Sequence, residues 1–483
     1  MAEDRLPESV ARARSELSSR RGGLSAAKRD LLAKRLSGKL AAGAREELAS
    51  RAAGRPDAPE IAGFAEILGE PPLDLAAEAV LDPTVCAAHA PPAALAPATA
   101  GASTGGAAGE PEPASEPEPA RVLLTGATGF LGAFLLAELL RQTRADVLCL
   151  VRAGSAEEAA GRLRDNLAAH EVWDDTAAPR ITVLLGDLAR PLLGLSEERF
   201  DAVGAEVDAI VHNGAWVHSS YPYSVLKAAN VLGTQETLRL AFRTKVKPLH
   251  FISTLNVFFA PEYSRMTVIS EDDSLDHPEG PAIGYAQCKW VAERLVMAAR
   301  QRGLPASVYR FGRISWHSRS GIWNPDDALR RVVDACLELG SAPDLDVGLV
   351  LTPVDYIARA VVALSRAHGS AGKTFHLINP HPISSRQLAE WTRSAGMQPL
   401  AIVPAEDWLA AARGKLPEAL LPDLSRLRAQ AWSGADEDDG ERQAFDCRNA
   451  IEGLAGTGIV CPPIGEDSLR AYLARYALEL SQT

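Results

Sequence analysis

Residues 122–140 read VLLTGATGFLGAFLLAELL. A short apolar run ends in Thr125-Gly126-Ala127-Thr128-Gly129-Phe130-Leu131-Gly132 and passes directly into a segment with helical spacing. Glycines at 126, 129 and 132 allow a tight turn, close backbone approach to a pyrophosphate and close packing of helix on strand, with the helix N-terminus facing the anion. A glycine pattern alone is weak. This one sits between a strand and a helix at the start of an alternating segment, which makes Thr125, Gly126, Thr128, Gly129, Phe130, Leu131 and Gly132 candidate contacts to a dinucleotide.

Downstream the alternation continues. Apolar runs at Val147–Val151, Ile181–Leu185, Ala209–His212, Leu249–Ser253, Ser307–Phe311 and Thr374–Ile378 suit buried parallel strands, and helical patterns fill most of the gaps. This predicts an α/β protein with a doubly wound, Rossmann-type parallel sheet and right-handed crossovers. Residues Ser318–Leu339 and Ser384–Leu480 predict a smaller, mainly helical lobe over the carboxyl ends of the strands, with substrate in the crevice between.

The chain has 483 residues, of which 47% are apolar and 23% charged, and a net charge of −12. Residues 1–55 hold 13 Lys/Arg against 7 Asp/Glu, so this arm carries +6 and the remainder carries −18. So acidic a body speaks against a general nucleic-acid role. The charged start MAEDRLPESV, and glycines and Glu138 within the most apolar stretch, give neither a signal peptide nor a membrane span, so a cytoplasmic location is expected. Six cysteines without a C-x-x-C pair argue against a metal site and a disulfide framework.

Five divisions are expected. Residues 1–55 place Leu24, Leu31, Leu32, Leu36 and Leu40 at helical spacing opposite a basic face, as a solvated tail or a docking element for an acidic partner protein. Residues 56–86 read as a short helical lead-in that docks on the domain that follows. Residues 87–120, nearly all Ala, Pro, Gly, Ser, Thr and Glu, read as a flexible linker. Residues 121–382 form the cofactor-binding domain with lobe insertions, and 383–483 the C-terminal substrate lobe.

The end of the second strand addresses cofactor choice. An acidic residue there accepts hydrogen bonds from ribose hydroxyls, whereas a guanidinium pairs with a 2′-phosphate, so Arg152 points to NADPH. Arg162 is either a second phosphate contact or an ordinary surface arginine. Asp187 and Leu188 fall near the adenine, and Asn213, Gly214 and Ala215 let the backbone after the fourth strand pass close to the cofactor. Asn230 is a candidate to bond neighbouring backbone, to bend its helix, or to hold a water relaying protons to a lysine.

Reducing a carbonyl with a hydride needs a proton donor, a second hydrogen-bond donor and a group that lowers the donor's pKa. Tyr and Lys four residues apart share a helix face. Two such pairs occur, Tyr223 with Lys227 and Tyr285 with Lys289. The fifth strand ends in Phe251-Ile252-Ser253-Thr254 and presents a hydroxyl at the sheet edge; the long helix after it opens with Tyr285. Thr254, Tyr285 and Lys289 are therefore assigned to catalysis, with Ser253, Tyr285 and Lys289 also facing the cofactor, and Tyr223/Lys227 is a chance match near the substrate cleft. Lys289 is the group expected to lower the Tyr285 pKa.

The run VLLTGATGFLGAFLLAELL, then CLVRA, GDL, VHNGA, YPYSVLKAANVLGT, FISTLNV, GYAQCKWVAERLV, RGLPASVYR, LTPVDYIA and FDCRNAIEGLAGTGIVCPP, resembles the thioester reductase domains of nonribosomal peptide and polyketide synthetases and of carboxylic acid reductases. The resemblance covers about Leu73 to Leu478 apart from the Ala/Pro linker. It implies an extended short-chain dehydrogenase fold and NADPH as reductant. It also implies reductive release of an acyl or peptidyl chain from a carrier protein's phosphopantetheine thiol as an aldehyde, sometimes on to the alcohol. The family's Thr, Tyr and Lys fall on Thr254, Tyr285 and Lys289, and its cofactor arginine on Arg152. Gly214, Cys288 and His218 replace a common Ala, Ser and Asn; Phe311 and Trp316 replace a common Pro and Gly and bear on pocket shape. With no adenylation or carrier domain in the sequence, a freestanding reductase served by another chain's carrier is expected. The rival enzyme class is a nucleotide-sugar epimerase or dehydratase, which retains NAD and usually has an acidic residue where Arg152 lies. A noncatalytic cofactor-binding scaffold would have no use for the intact Thr254, Tyr285 and Lys289.

Overall fold

Seven parallel strands form the sheet, and all but the edge strand Ile181–Leu185 are buried almost throughout, as strands covered by helices on both faces must be. In the computed structural model they are β1 (Arg121–Thr125), β2 (Asp146–Val151), β3 (Ile181–Leu185), β4 (Ala209–His212), β5 (Leu249–Ile252), β6 (Ala306–Arg310) and β7 (Thr374–His376). All pair in parallel, in the order β7-β6-β5-β4-β1-β2-β3. The structure describes residues 73–87, 118–218, 221–260, 262–263, 266–276, 280–344, 348–394, 400–413 and 444–482. The expectations for residues 1–55, for 56–72 and for most of the linker lie outside these residues.

The helices that flank the sheet and site are α1 (Phe130–Gln142), α2 (Ala156–Ala169), α3 (Glu197–Glu206), α4 (Tyr223–Lys227), α5 (Gly233–Phe242), α6 (Gly284–Gln301) and, in the lobe, α7 (Ala328–Leu339). The later α8 (Val354–Arg366) returns to the sheet. Alternate strand residues feed two cores. Leu123, Leu148, Ile210 and Phe251 join α3, α5 and α6 on one face, while Val122, Leu124, Cys149 and Val211 join α1, α2 and α8 on the other. The strand order reverses between β1 and β4, which opens a crevice at their carboxyl ends.

A third core belongs to the lobe. Trp316, Trp323, Trp408 and Tyr472 are buried there with α7 and the helix Glu466–Gln482. The lobe is less purely helical than its sequence suggests, because Ser341–Asp344 and Ala401–Pro404 pair as parallel strands. That pairing joins segments nearly sixty residues apart, so no local pattern announces it. The helix Arg448–Leu454 buries Ala450 and Leu454 in the α1–α8 core, away from the lobe.

The lead-in segment 73–87 docks on the sheet domain. Leu75, Leu81 and Val85 are buried in the α3–α5–α6 core. The Arg302 guanidinium donates to the carbonyls of Leu81 (2.8 Å), Asp82 (2.6 Å) and Val85 (2.8 Å), and Arg239 donates to Thr84 Oγ1 (2.7 Å) and Asp82 (2.9 Å). Tyr223 and Lys227 are part of this dock: the phenol donates to Glu78 (2.9 Å) and the ammonium pairs with the same carboxylate (2.6 Å). Their spacing therefore serves an anchor for Glu78 and is no accident of sequence.

Replacing Arg302 with Ala leaves the three carbonyls without that donor. Thermal unfolding of Arg302→Ala should show a loss of about 1–3 kcal/mol, the cost of unsatisfied buried groups, and proteolysis within residues 73–87 should accelerate. An unchanged melt and cleavage rate would contradict the docking.

Candidate active site

The loop between β1 and α1 is shaped by what cannot fit in it. Gly126 has φ +73°, and a Cβ there would lie 2.7 Å from Gly214 Cα. A Cβ on Gly132 would lie 2.0 Å from the Gly126 carbonyl oxygen, so α1 can approach the loop only as glycine. Asn213 donates to that same carbonyl (3.2 Å), and Asn166 on α2 donates to the carbonyls of Ala127 (3.1 Å) and Gly129 (3.3 Å). This open cradle at a helix N-terminus fits a pyrophosphate.

Behind the cradle runs a buried relay of hydrogen bonds. Gly214 N–H donates to Thr125 Oγ1 (2.8 Å), which meets His212 Nδ1 (2.8 Å); His212 Nε2 meets Thr234 Oγ1 (3.0 Å), which donates to the Asn230 carbonyl (2.7 Å). Since Thr234 spends its proton on Asn230, it accepts from His212 Nε2–H, and Thr125 donates to Nδ1. Burial and the nearby Lys289 ammonium pull the His212 pKa down to about 3, so the ring is neutral. Thr125 thus ties β1 to β4 with its hydroxyl. The Asn230 side chain is likewise committed: it accepts from Trp216 N (2.6 Å) and donates to Trp216 O (3.0 Å), from a π-helical turn over Ala228–Leu232. Of the options expected for Asn230, the structure shows the bond to neighbouring backbone, as a clamp on the loop that carries Ala215 and Val217 into the cleft.

Arg152 is exposed at the end of β2, and Arg162 reaches back from α2 to donate to the Arg152 carbonyl. The two guanidinium-bearing residues are thus brought together. Asp187 uses Oδ1 to accept from Ala189 N (2.9 Å), and Leu188 packs against Gly214 and Gly233.

At the other side of the crevice, two successive turns of α6 bond two successive residues at the end of β5. Lys289 Nζ donates to the Ile252 carbonyl (2.7 Å) and lies 4.8 Å from the Phe251 ring centroid. Ser253 Oγ donates to Glu293 Oε2 (2.5 Å). Thr254, whose Oγ1 accepts from Asn256 N (3.2 Å), caps the turn Leu255–Phe258. Thr254, Tyr285, Lys289 and Ser253 line one cavity of about 530 Å³ with Gly126, Thr128, Gly129, Phe130, Leu131, Asn213 and Ala215. Thr125, Gly132, Arg152, Arg162, Asp187, Leu188, Gly214 and Asn230 lie outside that lining.

The wall facing the lobe is apolar, with Phe259, Phe311, Ile314, Leu349, Leu351 and Phe445, and carries Arg313 and Asp327 as an ion pair at 3.8 Å. Phe311 shapes the cavity. Trp316 does not, because it is fully buried in the lobe and stacks on Tyr472 at 5.5 Å.

The electrostatics correct one expectation. The net shift of the Tyr285 phenol is upward: burial pushes it above its ordinary value, against the direction expected from Lys289, whose ammonium bonds the Ile252 carbonyl. A phenol that keeps its proton is the form a donor needs. Burial also holds Lys289 down to about 8, opposed by the Glu293 carboxylate. The residues missed in the sequence are Asn166, His212, Glu293 and Arg310. Of these only Glu293 had a local signal, its place one turn beyond Lys289 on the same stripe of α6.

Residues 124–361 match the NAD-binding family model described as Male sterility protein. The chain is 40% identical to the terminal R domain from the myxalamid PKS-NRPS biosynthetic pathway, with a TM-score of 0.70 over 84% of this chain and 97% of that one. It belongs to the reductase (R) domain family of nonribosomal peptide and polyketide synthetases. The R domain of a nonribosomal peptide synthetase from Mycobacterium tuberculosis is 27% identical, with a TM-score of 0.61 over 76% of this chain and 93% of that one. The isonitrile lipopeptide synthase of Streptomyces coeruleorubidus is 39% identical over 361 residues, which are 73% of this R domain chain and 24% of that synthase. The chain spans between 6% and 36% of such curated relatives. The R domain is thus an oxidoreductase of the extended short-chain dehydrogenase fold that takes a nicotinamide cofactor. Among the described residues no helix is long and apolar enough to cross a membrane, and no His/Cys/Asp/Glu cluster suits a metal ion.

The Lys289 ammonium is charged below about pH 8 and is lost above it. A pH profile of kcat/KM for reductase turnover should therefore fall on the alkaline side with an apparent pKa near 8, reporting the free enzyme. A profile flat to about pH 10 would contradict a role for the charged lysine.

Proposed function

We propose that this R domain is an NADPH-dependent thioester reductase. It would release an acyl or peptidyl chain from a carrier protein's phosphopantetheine thiol as an aldehyde, and on to the alcohol where a second reduction follows. The observation that carries this reading is the convergence of Thr254, Tyr285 and Lys289 on the cavity that the glycine loop also lines. The same reading places the enzyme in the cytoplasm.

The glycine cradle would take the pyrophosphate, and Arg152 with Arg162 the 2′-phosphate, through charge-assisted bonds that an unphosphorylated ribose does not offer. When bound, the cofactor supplies a hydride to the thioester carbonyl carbon. The protein's own residues handle the oxygen. Thr254 and Tyr285 donate hydrogen bonds to it as negative charge develops, in a cavity where such bonds are worth more than in water. Tyr285 then gives up its proton, and the buried Lys289 charge stabilises the phenolate left behind. The resulting hemithioacetal expels the pantetheine thiol and leaves the aldehyde. The apolar wall of Phe259, Phe311, Ile314 and Phe445 would hold the released chain and exclude water.

Two outcomes check this. Tyr285→Phe should bind NADPH normally but consume it with an acyl-pantetheine thioester at least about a hundredfold more slowly, as expected for loss of a positioned proton donor; full activity would refute the assignment. Arg152→Ala should raise the NADPH dissociation constant about tenfold or more, the scale of a lost charge-assisted bond, while leaving the NADH constant nearly unchanged. Equal effects on both would remove the case for NADPH.

A further inference from the structure

Glu293 is 0% exposed and accepts three hydrogen bonds from two partners in the interior. Its Oε1 accepts from Arg310 Nε (2.9 Å) and Nη2 (2.5 Å), and its Oε2 accepts from Ser253 Oγ (2.5 Å). Arg310 is equally buried, stacks 4.7 Å from the Phe258 ring centroid and meets His376 Nε2 (3.3 Å). Ser253 N–H donates to Tyr309 O (2.8 Å), so the serine is fixed through both its backbone and its side chain. Thr254 is the next residue, and Lys289 is one turn of α6 before Glu293.

A buried ion pair is weak evidence for stability, since well-packed apolar residues of similar volume often serve as well or better. What distinguishes this pair is its place. It is the last contact in the ladder that joins α6, the source of the phenol and ammonium, to the strand end that carries the second hydroxyl. We propose that Glu293 is a positioning residue for reduction: braced by Arg310, its carboxylate holds Ser253, and through it Thr254, in register with Tyr285, and supplies the negative charge that faces Lys289. The inference rests on the thioester-reductase reading for its kinetic arm only.

The groups facing Lys289 are Tyr285, Cys288 and Glu293 on its own helix and His212 from β4, with Arg310 of β6 behind Glu293. His212 is neutral, and the buried thiol of Cys288 is pushed up to about 12. Glu293, paired with Arg310, is the one carboxylate among these groups, and Arg310 offsets part of its charge.

The test separates geometry from charge. Ser253→Ala keeps the ion pair and removes the tether, so kcat with an acyl-pantetheine thioester should fall about tenfold or more, as small misplacements of reacting groups do, while the alkaline limb of the pH profile stays unmoved. Glu293→Asp keeps the charge but shortens the reach, and should lower kcat in the same way without moving the alkaline limb. Glu293→Gln should do both, shifting that limb to lower pH by about half a unit or more, because the lysine loses its counter-charge. A readout independent of substrate is the carbon-13 resonance of the Lys289 ε-carbon, assigned with Lys289→Arg; its titration midpoint should fall in Glu293→Gln and hold in Ser253→Ala. Wild-type kcat in Ser253→Ala overturns the proposal, as does an unmoved Lys289 titration in folded Glu293→Gln. Should Glu293→Gln fail to fold, Ser253→Ala and Glu293→Asp decide alone. A wild-type enzyme inert toward the thioester refutes the proposed function, and the lysine titration still decides the inference.

Discussion

The site depends on the register of one helix against the end of one strand. Lys289 bonds the Ile252 carbonyl and Glu293 bonds the Ser253 hydroxyl, one helical turn apart on α6 and one residue apart where β5 ends. Both contacts are buried, so neither can be exchanged for water without leaving a charged or polar group unsatisfied. That constraint fixes where the Tyr285 phenol and the Thr254 hydroxyl stand relative to each other. The docked segment 73–87 lies against the same core: Leu75 is buried with Trp290 of α6, and Glu78 ties down α4 through Tyr223 and Lys227.

The cofactor side obeys a steric constraint instead. Gly126 and Gly214 touch backbone to backbone across the gap between β1 and β4, and Gly132 rides directly on the Gly126 carbonyl. The side chains that brace this contact, Thr125, His212, Thr234 and Asn230, form a polar chain in which each proton has a destination. A neutral His212 lets that chain lie close to the Lys289 ammonium without adding a second positive charge.

How much of this was legible depended on how local each determinant is. The seven strands fall within two residues of their apolar runs because most of their positions are buried, which leaves few polar interruptions to blur them. Gly126, Gly129 and Gly132 and the Tyr285/Lys289 spacing are likewise written within a short stretch of chain. Tyr223/Lys227 shows the limit: the spacing is identical, but its use is set by Glu78, 145 residues away along the chain. Arg310 could not be paired with Glu293 from periodicity, since one sits on β6 and the other on α6. Nor could the burial of Trp316 in the lobe be told from exposure to the cavity, because both suit an aromatic residue after a strand. For Thr125 and Asn230 the position was legible and the role was not, since the hydrogen-bond partners come from the neighbouring strand and loop.

The account reduces to a claim about three side chains and one point in space. The most direct measurement is a crystal structure with NADP⁺ and a nonreactive thioester analogue bound. The account predicts the Thr254 and Tyr285 hydroxyl oxygens within about 3.2 Å of the analogue's carbonyl oxygen, the ordinary reach of a hydrogen bond, with the Lys289 ammonium beside the phenol. A carbonyl bound elsewhere in the cavity, or either hydroxyl turned from it, would contradict the account.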